Sequence, residues 1–198
     1  MTIAIPLSSP EDRMVQVKIV YWGPAECGKT TSLVAVAQAF AAMSIDDVLA
    51  VQTTTGRTLW NEYGAFRFDI PAGAGTVAAI VHLSALTGQE RFLNTREFAG
   101  ASSDGVILVA DCRPGFEPAT VRSYEELVAF ISAAVPVIVQ ANFQDVTGAL
   151  LPDELDELLA KAAGKRYFKI VPTVAAAGVN VSAAFVELLL RVLCEGDR

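Results

Sequence analysis

At 198 residues the chain suits one compact domain built around a single large core. Hydrophobic residues form 53% of it, yet runs such as "GVILVA" and "VPVIV" fall far short of the roughly 18 to 20 residues that cross a bilayer. The apolar excess therefore belongs to strands buried on both faces. A formal net charge of −7 without a basic stripe excludes nucleic acid as a general partner, and Cys27, Cys112 and Cys194 lack the spacing of a metal site or disulfide framework.

The start "MTIAIPLSSPEDR" has no basic segment followed by a long apolar block. Thr2 stands where myristoylation needs glycine, and "LCEGDR" is no prenylation box. A cytoplasmic protein with no direct membrane anchor is expected, with Cys194 a buried helix cysteine.

In chain order, residues 1–13 read as a short N-terminal extension and 15–22, "VQVKIVYW", as a buried strand. Residues 29–43 read as an Ala-rich helix and 47–52 as a short strand. Two more strands, 65–70 and 76–83, are joined by "PAGAG", whose Gly and Pro content suits a tight connection. An irregular segment with a short helix follows over 87–99, then a strand over 105–111. A helix is expected over 117–133, with Pro118 near its start, and a strand over 136–142. The helix over 151–163 carries Pro and acids in its first turn, with Lys161 and Gly164 near its end. A last strand over 166–171 and an amphipathic helix over 180–193 close the chain. The alternation predicts an α/β fold with a mostly parallel central sheet flanked by helices on both faces.

Gly23, Gly28, Lys29 and Thr30 in "GPAECGKT" fit G-x-x-x-x-G-K-[ST], directly after a strand and opening a helix. In a chain of this length the pattern arises by chance with a probability on the order of 1%. Glycines let consecutive amides of the loop, through Glu26, Cys27 and Thr31, wrap around phosphate oxygens, and the helix start adds partial positive charge. Lys29 is expected to bridge the terminal phosphates and the Thr30 hydroxyl to ligate Mg²⁺. A nucleotide site follows.

Further stretches resemble small-GTPase motifs in the same order. "NFQD" (142–145) follows a strand, where that family carries Asn-Lys-x-Asp. Asp145 there accepts both hydrogen bonds from guanine N1 and N2, a pattern adenine lacks, and Asn142 ties the loop to the phosphate loop or base. Phe143 replaces the lysine whose stem packs on the base, and an aromatic face can stack instead; Asn and Asp are also common turn residues. "TGQERF" (87–92) resembles the γ-phosphate segment, with Gly88 sensing that phosphate and Gln89 orienting the attacking water. The Asp usual three residues before this glycine is Ala85 here. Asp111 mimics a Walker B acid, though the strand order suits a structural position better. "TTTGRTLW" (53–60) stands where a switch loop falls: Thr58 closes on Mg²⁺, and Arg57 is either an arginine finger in cis or a solvated surface residue. In "VAAAGVNV" (174–181), Ala175 offers its backbone N–H to guanine O6, while Val174 and Ala176 replace the flanking Ser and Lys. His82, the only histidine, reads as a strand residue rather than a catalytic base.

The chain thus resembles the Ras-superfamily small GTPases, and within them the MglA-type bacterial and archaeal polarity GTPases, over roughly residues 15–194. "KIVYWGPAECGKTTSL", "TGRTLW" and "TGQERF" carry the resemblance. It implies a P-loop NTPase, one Ras-like G domain over 1–198, switching between GTP and GDP with Mg²⁺ and slow hydrolysis assisted by Lys29, Arg57 and Gln89. A roadblock-type activating protein and downstream effectors are the implied partners. Two other classes fit the same residues. One is a nucleotide-binding scaffold without useful turnover, favoured by Ala85 and the altered base loops. The other is an ATP-using P-loop enzyme, for which no second catalytic group stands out.

Overall fold

The computed structural model describes residues 14–45, 62–72, 75–85, 100 and 102–195. The extension 1–13, the strand expected over 47–52, the loop 53–60 and the segment 87–99 lie outside the described residues. The elements are β1 (Met14–Trp22), α1 (Lys29–Ala39), β2 (Glu62–Ala72), β3 (Gly75–Ala85), β4 (Gly105–Asp111), α2 (Glu117–Phe130), β5 (Val137–Asn142), α3 (Pro152–Ala163), β6 (Lys169–Pro172) and α4 (Val181–Glu195).

Six strands form one sheet in the order β2-β3-β1-β4-β5-β6. All neighbours run parallel except β2 and β3, which pair antiparallel from Glu62↔Ala85 to Ala72↔Gly75. The "PAGAG" segment is therefore mostly strand: Pro71 pairs with Thr76 on the outermost strand, where a missing N–H is tolerated.

Residues of β4 are buried throughout, because the strand is covered on both faces. Ile107 and Val109 pack with Leu33 and Val36 of α1 and with Phe185 and Leu188 of α4. Val106, Leu108 and Ala110 pack on the other side with Tyr124 and Leu127 of α2 and Leu155 and Leu159 of α3. Alternation along the strand thus divides the apolar residues between two cores, one per sheet face. The expected mostly parallel sheet with helices on both faces is the observed one.

Several features differ from the sequence reading, among them the helix expected over 117–133, which ends at Phe130. The helix expected over 29–43 stops at Ala39, and a 3₁₀ turn follows over Ala41–Met43. Phe40 leaves helical geometry at φ −114°, ψ 28°. Its ring sits 5.5 Å from that of Phe68 and 5.6 Å from that of Phe185. The last strand begins at Lys169 rather than at 166, because the residues before it serve tertiary bonds. The Arg166 amide donates to Tyr124 Oη at 2.9 Å, its guanidinium donates to the Ser132 carbonyl at 2.7 Å, and Tyr167 Oη donates to Asp156 Oδ1 at 2.8 Å. Cys194, expected to be buried, is exposed. On α4 the core takes Phe185, Leu188, Leu189 and Val192, and at 100° per residue position 194 falls on the opposite side. No helix among the described residues is long and apolar enough to cross a membrane.

Phe185 and Leu190 share α4 but differ in burial, at 0% and 56% exposure. Phe185→Ala is expected to cost about 3–5 kcal/mol, and Leu190→Ala within about 0.5 kcal/mol of nothing. Chemical denaturation midpoints of the two variants check this, and equal losses would contradict the packing described.

Candidate functional site

The parallel strands β1, β4, β5 and β6 deliver their carboxyl ends to one edge of the sheet, where ligands of open α/β folds bind. From β1 the chain turns through residues 23–28 into α1. Gly23 (φ 148°), Glu26 (φ 62°) and Gly28 (φ 103°) take positive φ there. The two glycines are also required by neighbours. A Cβ at Gly23 would lie 2.4 Å from the Val109 carbonyl oxygen, and one at Gly28 would lie 2.4 Å from Asn142 Nδ2.

No side chain caps the start of α1 and its first turn holds no acid, so the positive end of the helix is presented to whatever the loop holds. Lys29 is buried at 7% exposure, and its ammonium donates to the Gly23 carbonyl at 3.1 Å and to that of Pro24. The adjacent Cys27 Sγ lies 3.7 Å from it. Burial pushes the Cys27 thiol up, against the opposing pull of Lys29, so the group packs as an uncharged thiol. Thr30 is half-buried and Thr31 exposed on the first turn of the helix.

Asn142, at the end of β5, joins three segments. Its Nδ2 donates to the Cys27 carbonyl at 2.9 Å. Its Oδ1 accepts from the Ala175 amide at 2.9 Å and from Thr173 Oγ1 at 3.4 Å. The Ala175 N–H, which sequence reading assigns to guanine O6, is thus directed at Asn142, whose buried oxygen needs a donor.

Beyond Asn142 the chain turns through Phe143 in left-handed geometry, at φ 66°. The Val146 amide closes that turn on the Phe143 carbonyl at 3.0 Å, and the Gln144 amide donates to the Thr173 carbonyl at 3.2 Å. Asp145 is exposed at the turn, and its carboxylate makes no hydrogen bond among the described residues.

Arg113, which belongs to none of the motifs in the sequence, is a further member of this edge. Asp111, ending β4, is almost fully buried, and Arg113 holds it with two donors: Nε donates to Oδ1 at 3.0 Å and Nη2 to Oδ2 at 2.6 Å. The Walker B likeness of Asp111 thus resolves into an ion pair. The signal was an arginine two residues past a strand-ending acid, legible only with the turn between them known.

Ala85, standing where a metal-holding carboxylate is usual, is buried at the end of β3 beside Tyr21. His82 pairs with Gln16 across β1 and β3 at 3.2 Å. Arg57, Thr58, Gly88 and Gln89 lie outside the described residues.

Removing the Asn142 amide leaves the buried Cys27 carbonyl and Ala175 amide unpaired, at about 1–3 kcal/mol each. Asn142→Ala is therefore expected to lose at least about 2 kcal/mol of stability without nucleotide present, read from urea denaturation.

No protein-family model matches the chain. Over 192 residues, 92% of this chain and 93% of the relative, it is 28% identical to the Mutual gliding-motility protein MglA of Myxococcus xanthus (strain DK1622). The chain, with a mostly parallel six-stranded sheet and a glycine loop leading from its first strand into a helix, is thus similar to an MglA protein across nearly the whole of both chains.

Proposed function

We propose that the chain is a single G domain that binds GTP and GDP and acts as a molecular switch with slow GTP hydrolysis. The observation that carries this reading is the pair of hydrogen bonds made by the Asn142 side chain, one donated to the Cys27 carbonyl and one accepted from the Ala175 amide. It sets the phosphate loop, through Cys27, beside the loops that begin at Phe143 and end at Ala175. A nucleotide with its phosphates among residues 23–31 then brings its base to the exposed Asp145. Guanine offers that carboxylate two donors, whereas adenine offers an acceptor.

In the γ-phosphate state Lys29 leaves the Gly23 and Pro24 carbonyls in favour of phosphate oxygens, which bind an ammonium more strongly. Gly88 donates its amide to the γ-phosphate, Gln89 orients the attacking water, and Arg57 and Lys29 offset the charge that develops on the transferred group. Mg²⁺, a hard cation that accepts few protein ligands, would be held by the hydroxyls of Thr30 and Thr58 and would offset charge on the phosphates. A roadblock-type activating protein and downstream effectors are the partners this reading carries, in the cytoplasm.

A second reading, a nucleotide-binding scaffold with little turnover, draws on Ala85. Its methyl is buried at the end of β3, so this position supplies no carboxylate to steady a metal. Binding without hydrolysis separates the two readings, and equal stabilisation by ATP and GTP points instead to an ATP-using enzyme.

With Mg²⁺, GTP and GDP are expected to raise the melting temperature, corresponding to about 2.7 kcal/mol at a hundredfold excess over Kd, with ATP far less effective. Lys29→Ala is expected to remove the shift. Protein purified without bound nucleotide and unmoved by GTP or GDP in calorimetry would refute the switch. Gln89→Leu is expected to keep nucleotide binding and to lower single-turnover GTP hydrolysis by about tenfold or more; unchanged hydrolysis would remove Gln89 from the mechanism.

A further inference from the structure

Arg113 belongs to none of the motifs above, yet it lies where the two halves of the site meet. Its guanidinium carbon sits 4.2 Å from the ring centroid of Phe116 and 4.2 Å from that of Phe143. It is thus stacked against both rings while Asp111 grips it at its edge. Nη2 also approaches the carbonyl oxygen of Glu26, in the phosphate loop, at 3.5 Å. Asp111 is inaccessible at its side chain, whereas that of Arg113 keeps 30% exposure. The buried acid therefore fixes the arginine, and the arginine reaches outward to the rim.

Each contact has a separate consequence. The Asp111 pair removes the freedom of the guanidinium, so stacking on Phe143 orders the first residue of the 143–146 turn at little entropic cost. Phe143 has no charge of its own with which to hold the neighbouring phosphate loop. The cation comes instead from the end of β4. A lysine at 113 could satisfy Asp111, but its compact ammonium offers no plane to stack and no second arm for Glu26.

We propose that Arg113 is a positioning residue for a guanine nucleotide: stacked on Phe143 and joined to Glu26, it holds the base-reading turn against the phosphate loop and slows nucleotide release. The proposal rests on the guanine-nucleotide reading above. Arg113 acts through Phe143 and Glu26, and no contact of its own with the base is invoked.

The test compares the full-length protein with Arg113→Lys and Phe143→Leu, using N-methylanthraniloyl-GDP with Mg²⁺. Three quantities are measured: the release rate, the ratio of affinities for GDP and IDP, and the melting temperature without nucleotide. IDP lacks the 2-amino group that Asp145 reads. Both variants are expected to release GDP about tenfold faster, between the scales of an exposed and a desolvated cation–π contact, and to narrow the preference for GDP over IDP. The nucleotide-free melting temperature of Arg113→Lys should stay near that of the parent, because Asp111 keeps a cation. If the parent binds GDP and both variants release it at the parental rate, the proposal is overturned while the nucleotide reading stands. Faster release with an unchanged GDP-to-IDP ratio also overturns it, since the turn that reads the base was not displaced. A parent that binds no GDP overturns both.

Discussion

A single buried amide, that of Asn142, bonds the phosphate loop at Cys27 and the last loop at Ala175, each at 2.9 Å. Its position at the end of β5 brings these contacts within reach, and the closeness of its Nδ2 dictates glycine at position 28. Three loops, one 115 residues before Asn142, one at it and one 33 residues after it, are thereby held to one another by bonds that water cannot easily replace. The arrangement of this edge depends on that join, which fixes the distance between the glycine loop after β1 and the turn after β5.

The sheet makes the join possible. Parallel strands bring the ends of β1, β4, β5 and β6 to one edge, and each contributes a different chemistry there. β1 leads into backbone amides and a helix start, β4 into the Asp111–Arg113 pair, and β5 into Asn142 and its turn. The sequence between β6 and α4 supplies Ala175. Two apolar layers, one per face, pack the strands between them and so hold the contacts at their ends in register. Lys29 illustrates the economy of the edge: buried, it donates to the carbonyls of the same loop that positions it.

Much of this was legible in the order of residues, because some constraints are local. A glycine-rich turn between an apolar strand and a helix has a chemical reason visible in eight residues, and the alternation of strands and helices carries the sheet with it. What local pattern did not carry were decisions made across the fold. The helical periodicity of 29–43 continues past Ala39, but Phe40 turns to meet Phe68 and Phe185 from other elements. Residues 166–168 have strand composition, yet Tyr124 and Asp156 claim two of them. The Ala175 amide donates to Asn142, 33 positions away, a partner that no local pattern indicates. Cys194 was assigned to the core on composition, where helix phase places it outside.

By itself the sequence determined the class of fold and the glycine turn between its first strand and helix, since each rests on residues close together in the chain and on backbone preferences that need no partner. Only the tertiary structure decided which carboxylate is paired and which is exposed. Asp111 and Asp145 follow similar apolar strands, but one meets an arginine in the dry end of β4 and the other faces solvent on a turn. Burial and the reach of a neighbour determine what a charged group does, and both are properties of the packed chain rather than of its neighbours in sequence.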